Sequence, residues 1–197
     1  MKSFWEERYS REEFAYGTLP NIFFKEQIDK LKPGKLLLIG EGEGRNAVYA
    51  ARLGWYVDAV DFSEAARKKA LKLAETNNVK INYYVDNLED FIPQVNFYNA
   101  VGLIFIHLNN NLRDKVNKRC IESLRPGGKI ILEAFEKKQL GRNSGGPQNP
   151  DLLYSLEDIK LSFSNLNSEL IKKQVKNLNE GEFHSGEAAV IQFVGIK

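Results

Sequence analysis

Residues 35–46 read KLLLIGEGEGRN, an apolar run followed by three glycines at alternate positions. Its apolar first part, residues 35–39, is typical of a strand buried in a parallel sheet. The glycines that follow let the backbone turn sharply and approach a ligand with no Cβ in the way. Residues 45–53 are good helix formers, and the start of a helix offers free backbone N–H groups. The stretch therefore predicts a strand, a glycine turn and a helix. A turn with a purely structural role would give the same pattern.

The alternation of strand and helix patterns continues along the chain. Further strands are predicted at residues 55–60, 80–85, 99–106 and 129–135, with helices at 63–75 and 111–124. Such an alternation predicts parallel β-α-β crossovers and therefore an α/β protein with a doubly wound, Rossmann-like sheet. A turn at residues 125–128, a long loop at 137–150 and a short helix at 155–163 follow. Residues 169–178 and 187–196 predict a closing hairpin.

Length and charge limit the functional classes. A chain of 197 residues predicts one domain. The formal charge of +2, from 28 basic and 26 acidic residues, argues against a basic nucleic-acid-binding arm. We therefore expect no nucleic-acid partner. No signal peptide and no apolar run of about 20 residues are apparent, so we expect a cytoplasmic protein without membrane contact.

Few residues are available for metal or thiol chemistry. Cys120 is the only cysteine, which excludes an intramolecular disulfide. His107 and His184 are the only histidines, so a zinc site would need carboxylates for most of its ligands. We therefore expect no metal site.

Acidic residues follow two of the predicted strands. Asp61 ends the second strand, where a carboxylate can accept hydrogen bonds from both hydroxyls of a ribose. An acid placed before the helix cap Ser63 would give the same pattern. Asp86 ends the third strand and could accept a hydrogen bond from an adenine amino group, although a solvated turn is the alternative. In an open parallel sheet, ligands bind at this carboxyl edge.

With these features the chain resembles the class I S-adenosylmethionine-dependent methyltransferases over nearly its whole length. It is most similar to the small bacterial branch that includes tellurite-resistance and thiopurine methyltransferases. The segments that carry the closer match are GEGRNAV at 42–48, IFIHL at 104–108, LEAF at 132–135, GGP at 145–147, DLLY at 151–154 and EGEFHSG at 180–186. The resemblance implies a seven-stranded, mostly parallel sheet whose last strand is antiparallel.

The resemblance also implies roles for individual residues toward S-adenosylmethionine. The glycine-loop residues Gly40, Glu41, Gly42 and Asn46 would lie against its methionine part and ribose. Asp61 would bind the ribose hydroxyls, and the adenine would lie beside Phe62, Asp86, Asn87 and Leu88. The end of the fourth strand would pass under the sulfonium through Leu103, Ile104 and Phe105. The N-terminal aromatic residues Trp5, Tyr9 and Tyr16 would form a lid, unless they only pack a helix on the sheet.

Two positions depart from the family pattern. Leu38 stands where the family usually has an acid, two residues before the first glycine, and that acid helps to hold the amino group of the cofactor. Asn99 stands where the family often has aspartate at the start of the fourth strand. Glu41, within the loop, could replace the missing acid. That hypothesis would fail if Glu41 pointed to bulk water.

The implied reaction is in-line transfer of a methyl group to a small-molecule acceptor. The candidates for contact with the acceptor are His184, His107 and Arg142, although a lone histidine is more often structural than catalytic. The expected organisation is one methyltransferase domain with an N-terminal helical lid at 1–31, a cofactor-binding core at 35–136, and a substrate loop with the closing hairpin at 137–197.

Two other functions fit the same fold. A nicotinamide-dependent oxidoreductase would use the same first half, but Arg45 occupies the sixth position of the dinucleotide fingerprint, where a glycine is expected. A module that binds S-adenosylmethionine without catalysis is also compatible with Leu38 and Asn99.

Overall fold

The computed structural model describes residues 2–197, residue 2 by its backbone alone. The fold is α/β, with one β-sheet and helices on both of its faces. The helices are α1 (Lys2–Ser10), α2 (Ile22–Ile28), α3 (Arg45–Arg52), α4 (Glu64–Thr76), α5 (Asn110–Ser123) and α6 (Leu156–Ser162). The strands are β1 (Lys35–Ile39), β2 (Tyr56–Asp61), β3 (Asn82–Val85), β4 (Tyr98–Ile104), β5 (Leu124–Phe135), β6 (Asn167–Asn179) and β7 (Ser185–Ile196). Short 3₁₀ turns lie at Lys137–Gln139 and Pro150–Leu152.

The seven strands form one sheet in the order β3-β2-β1-β4-β5-β7-β6. Pairing is parallel from β3 through β5, and β7 is antiparallel to both β5 and β6. The prediction of a seven-stranded, mostly parallel sheet with an antiparallel last strand is confirmed. The chain moves outward from β1 to β3 and then returns to the other side of β1 at β4. This reversal creates a crevice at the carboxyl ends of β1 and β4, which is where ligands bind in open α/β sheets.

Strand β1 is buried on both faces, as its apolar run predicts. Leu37 and Ile39 pack into the core on one side of the sheet, while Leu36 and Leu38 pack into the core on the other side. Leu38 is 1% exposed, and its side chain fills the space left by Gly102 on β4. An apolar residue at position 38 therefore has a packing role.

The predicted turn at residues 125–128 is part of strand β5. Tyr98 pairs with Leu124 and Ala100 pairs with Lys129, so the four intervening residues of β5 face a single residue of β4. Gly127 has a φ of 78°, which permits this bulge. The strand is therefore longer than predicted, with the glycine turn inside it.

Helix ends follow the local signals. Ser63 accepts a hydrogen bond from the backbone N–H of Ala66 at 3.1 Å and caps α4, as predicted. Asn21 caps α2 by accepting from the N–H of Phe24 at 2.8 Å. In the described range, residues 2–197, none of the helices combines the length and apolar character needed to span a bilayer.

Candidate active site

Two cavities lie at the carboxyl edge of the sheet, and the larger one lies where β1 and β4 diverge. It has a volume of about 490 Å³. Its wall combines residues of α1, the glycine loop, the ends of β4 and β5, the loop at 146–152 and the β6–β7 loop. Six aromatic rings and both histidines contribute to the wall: Phe4, Trp5, Tyr9, Tyr16, Phe105, Phe135, His107 and His184. A cavity of this size and apolar character suits a small organic ligand.

A second cavity, of about 380 Å³, lies beside the tips of β2 and β3. Its lining includes all four residues that the resemblance assigned to the adenine: Phe62, Asp86, Asn87 and Leu88. Apolar residues of β3 and of the segment around α5 complete it, namely Val85, Leu108 and Leu112. The structure therefore brings the predicted adenine residues together around one space.

Glycines are required in the loop for different reasons at different positions. A Cβ on Gly40 would lie 2.9 Å from Cδ1 of Ile106, because the loops after β1 and β4 meet there. A Cβ on Gly42 would lie 2.9 Å from the hydroxyl of Tyr9. Both residues have a φ of 62°. A Cβ on Gly44 would lie 2.6 Å from that of Ala70, so Gly44 serves the packing of α3 on α4.

Asp61 holds the glycine loop from the tip of β2. One carboxylate oxygen accepts from the N–H of Gly42 at 3.1 Å and the other from the N–H of Ser63 at 3.0 Å. Burial raises the pKa of Asp61 to about 6, although the hydrogen bonds from Ser63 and Gly42 oppose this change. Each carboxylate oxygen retains a lone pair for a further donor. Asp61 and Gly42 line neither cavity, and the Tyr9 hydroxyl lies against Gly42.

Glu41 and Asn46 both line the larger cavity at the start of α3. Glu41 is 8% exposed, and one carboxylate oxygen accepts from the N–H of Ala47 at 2.7 Å. Burial raises the pKa of Glu41 to about 7. Asn46 accepts from the N–H of Asn21 at 2.9 Å and so ties α3 to the N-terminal segment. Glu41 is buried in the wall of the larger cavity, and its replacement of the missing acid stays a prediction.

His107 follows β4 and lines the larger cavity. Its Nδ1 lies 2.8 Å from the carbonyl oxygen of Leu152, which assigns the proton of the neutral ring to Nδ1. Nε2 has no hydrogen-bond partner in the described part of the chain. Burial lowers the pKa of His107 to about 4. The imidazole is therefore neutral at physiological pH, with Nε2 as a hydrogen-bond acceptor.

His184 lies in an aromatic environment on the β6–β7 loop. Its ring centre is 4.4 Å from that of Tyr16, 4.5 Å from Phe105 and 5.2 Å from Phe135. Nδ1 lies 3.6 Å from a carboxylate oxygen of Glu180. Burial lowers the pKa of His184, although Glu180 opposes this change. At that distance Nδ1 makes no hydrogen bond to Glu180, and the neutral imidazole forms part of the wall of the larger cavity.

A buried polar network supports this wall, and sequence reasoning missed it. Glu180 pairs with Arg45 at 2.8 Å and accepts from the side chain of Asn21 at 3.0 Å. The same Asn21 amide donates to Glu133 at 2.6 Å. These residues lie up to 159 positions apart in the chain. No local pattern signals contacts over that separation, although the EGEFHSG segment did include Glu180.

Most, but not all, of the predicted site residues reach a cavity. Ile104, Phe105, Trp5 and Tyr16 line the larger one. Leu103 does not, because alternate residues of a strand face opposite sides of the sheet and its side chain is in the core, 1% exposed. Arg142 does not line it either, since its guanidinium is paired with Glu187 on β7.

Asn99 and helix α1 lie differently from what the sequence suggested. Asn99 is at the opposite edge of the sheet, where its side chain accepts from the N–H of Lys35 at 2.9 Å, so it is remote from both cavities. In the N-terminal segment, α1 packs on α4 through Glu6, which accepts from the Ser63 hydroxyl at 2.6 Å. Helix α1 therefore contributes to the cavity wall and is held by α4. Residues 2–197 contain no group of three or more metal-ligating side chains.

Comparisons with known proteins agree with this architecture. Residues 36–128 match the family described as a methyltransferase domain. A comparison with curated protein sequences gave no match. TehB from Haemophilus influenzae superposes with a TM-score of 0.75 at 16% identity, over 100% of this chain and 66% of that protein.

Two other solved structures are similar. One, described for the conversion of a disulfide bond into a thioacetal group during echinomycin biosynthesis, gives a TM-score of 0.79 at 14% identity, covering 99% of this chain and 88% of that one. Phosphoethanolamine N-methyltransferase 2 of Haemonchus contortus, solved with S-adenosyl-L-methionine, gives 0.68 at 19% identity, covering 98% of this chain and 56% of that one. At such identities the superpositions show a shared fold. The family match confirms the resemblance found in the sequence: the chain carries a methyltransferase domain over residues 36–128, on the class I S-adenosylmethionine-dependent methyltransferase fold.

Proposed function

We propose that this protein binds S-adenosylmethionine and transfers its methyl group to a small-molecule acceptor. One observation carries the proposal. Two cavities lie at the carboxyl edge of the sheet, one lined by the tips of β2 and β3 and one by the glycine loop, the end of β4 and the aromatic wall. A nucleoside fits the first and a methionine chain with an acceptor fits the second.

The residues present fit the cofactor. Gly40 lines the larger cavity, and because it has no Cβ its backbone can lie directly against a ligand. The Asp61 carboxylate has lone pairs for the two ribose hydroxyls. Residues 86–88 and Phe62 would hold the adenine. Because the Tyr9 hydroxyl lies against Gly42, we expect Tyr9 to shift when a ribose approaches Asp61.

When bound, S-adenosylmethionine supplies a methyl group on a sulfonium, which is already an activated leaving group. The chain must therefore align the acceptor and exclude water. Trp5, Tyr16, Phe105 and Phe135 line the larger cavity, and this aromatic wall would exclude water once cofactor and acceptor fill it. The neutral imidazoles of His107 and His184 can each accept a hydrogen bond, or a proton, from the acceptor.

The acceptor itself is proposed only as a small organic molecule. The cavity is closed on one side by α1 and on another by the loop at 146–152, and its volume of about 490 Å³ must also hold part of the cofactor. A macromolecular acceptor would have to enter past these segments. Arg142, expected to hold an anionic acceptor, is paired with Glu187 and is not part of this proposal.

Calorimetric titration with S-adenosylmethionine and S-adenosylhomocysteine tests the proposal. The wild type should bind both, and Asp61→Asn should bind about 10- to 100-fold more weakly, because one charged hydrogen-bond acceptor is lost. Asp58→Asn is a matched control on the same strand, since Asp58 instead contacts Asn82 and Tyr98, each at 2.8 Å. Its affinity should equal that of the wild type.

Absence of binding by the wild type would refute the proposed cofactor. Binding that is equally strong in Asp61→Asn would refute the role of Asp61. If binding is observed, release of S-adenosylhomocysteine over a panel of small thiols, phenols and amines should identify the acceptor. No release with any acceptor in a broad panel would favour a binding module without catalysis.

A further inference from the structure

Arg8 is a cation in the wall of the larger cavity that lacks an acidic partner. In the described part of the chain, no carboxylate lies within ion-pair distance of its guanidinium. Its neighbours are instead three aromatic rings: the guanidinium carbon is 4.1 Å from the ring centre of Phe183, 4.5 Å from Phe4 and 5.1 Å from Trp5. Cation–π contacts hold a guanidinium in place without neutralising its charge.

A second hydrogen-bond donor lies beside Arg8. The Nη1 group of Arg8 donates to the hydroxyl of Tyr16 at 2.8 Å, which leaves the hydroxyl proton of Tyr16 free to donate elsewhere. Both residues line the larger cavity. A guanidinium and a hydroxyl at one place form a donor set that suits a carboxylate.

The other charges in the cavity wall are arranged differently. Arg45 is neutralised by Glu180 at 2.8 Å. Glu41 has no cationic partner within ion-pair distance in residues 2–197; it accepts from the N–H of Ala47 at 2.7 Å, and Arg45 and Asn46 lie close enough to favour its ionised form. Among the described residues of the wall, Arg8 and Glu41 are therefore the charged side chains without an ion-pair partner. Glu41 is 8% exposed, and a buried charge without a counter-charge is unfavourable until a ligand pairs with it.

We infer that Arg8 and Glu41 together bind a zwitterion: Arg8, with Tyr16, holds a carboxylate, and Glu41 holds an ammonium group. Resting on the proposed function, this assigns the amino-acid end of S-adenosylmethionine to the larger cavity. It also gives the chain an acid for the amino group of the cofactor in place of the one missing at position 38, where Leu38 is packed in the core and cannot reach a ligand.

Burial of Glu41 is consistent with this assignment. Desolvation raises the pKa of Glu41 to about 7, since the carboxylate is removed from water. An ammonium group beside it would favour the ionised form. Arg45, at the start of α3, already lowers this pKa, and Glu43, two residues before Arg45, is paired with Lys69 at 2.7 Å.

The test compares two ligands that differ only at the amino-acid end. S-adenosylhomocysteine has both charged groups, whereas 5′-methylthioadenosine has neither. Arg8→Gln and Glu41→Gln should each bind S-adenosylhomocysteine about 10- to 100-fold more weakly by calorimetry, and both should bind methylthioadenosine within twofold of the wild type. Gln at position 41 can still accept from the N–H of Ala47.

Two further variants serve as controls. Arg11→Gln removes a cation near the same helix, but Arg11 is exposed, with Glu182 at 3.8 Å, so the affinity for both ligands should be unchanged. Arg8→Lys keeps the charge without the planar fork and should lose less affinity for S-adenosylhomocysteine than Arg8→Gln does.

Several results would overturn the inference. An equal loss for both ligands would show that Arg8 only shapes the helix. An unchanged affinity of Arg8→Gln for S-adenosylhomocysteine, with weaker binding of carboxylate-bearing acceptors, would assign the anion to the acceptor. If the wild type binds neither S-adenosylhomocysteine nor methylthioadenosine, the proposed function is wrong. If the wild type binds both and the variants lose no affinity, only the roles of Arg8 and Glu41 are wrong.

Discussion

Replacement of Glu133 by Gln should destabilise the protein strongly, because this carboxylate is completely buried and accepts three hydrogen bonds. One oxygen accepts from Lys176 at 3.0 Å and from Gln192 at 2.6 Å, and the other accepts from Asn21 at 2.6 Å. Gln can replace only one of the two oxygens. Its amide group would face the amide donor of Asn21, which cannot rotate because its oxygen caps α2.

The cost follows from these contacts. Loss of one hydrogen bond to a charged group costs about 1.5–3 kcal/mol. Lys176 also loses its counter-charge, and breaking a buried pair costs about 3–5 kcal/mol in general. Because the Lys176 side chain keeps 17% exposure and can turn toward water, we expect a loss near the lower limit, about 3 kcal/mol. For a protein of this size that lowers the melting temperature by about 6–12 °C.

Urea unfolding followed by tryptophan fluorescence measures this effect. Glu169→Gln is the control, because it breaks an ion pair with Lys129 on the same sheet that is partly exposed, and should cost less than about 1 kcal/mol. In a double-mutant cycle, Lys176→Met should be less harmful when Glu133 is already Gln. If Glu133→Gln costs no more than Glu169→Gln, or if the two substitutions are additive, the reasoning about the buried network is wrong.

Three further predictions concern two glycines with positive φ, the pH dependence of stability through His107, and the role of His184 in turnover. Gly127→Ala should lower the free energy of unfolding by about 1–2 kcal/mol because of the positive φ alone, since no atom lies near the added Cβ. Gly44→Ala should lower it by about 2 kcal/mol more, because its Cβ would overlap that of Ala70. Urea unfolding measures both. The folded-state pKa of His107, about 4, lies below the unfolded value near 6.5, so its contribution to stability is complete above pH 6.5 and is lost as the pH falls toward 4. We expect this loss to be about 2 kcal/mol, allowing for solvent at the ring edge, and absent from a His107→Asn variant measured over the same pH range. His184→Asn should lower turnover while leaving the dissociation constant of S-adenosylhomocysteine within about threefold; unchanged turnover would remove His184 from the chemistry.

Much of the site was predictable because its signals are local. Strand tips are marked by an apolar run followed by a glycine or an acid, and the carboxyl ends of parallel strands must meet at one edge. This reasoning placed residues 86–88 around one cavity and Gly40 beside the other. The prediction that Leu103 lies at the ligand did not allow for the alternation of side chains along β4. Adjacent residues of a strand face opposite sides of the sheet, so Ile104 reaches the larger cavity and Leu103 does not.

Residues whose importance depends on distant partners were not predictable. Arg142 looked available for an anion because its partner, Glu187, is 45 positions away. Arg8 carried no signal, since a basic residue in the last turn of a short, strongly polar helix is usually solvated. Only the approach of Phe183, from the far end of the chain, shows that Arg8 is held over the cavity without an acid.

The order of apolar runs, glycines and caps was sufficient for the class of fold and for the edge at which a ligand binds, because short-range patterns determine strands and helices and the chirality of crossovers leaves few arrangements. Only the tertiary structure decided which charges are paired. The side chain of Asn21 donates to Glu133 and to Glu180, which lie 112 and 159 positions away along the chain. Such pairing depends on how the lid segment, β5 and the closing hairpin pack together, and no periodicity encodes it.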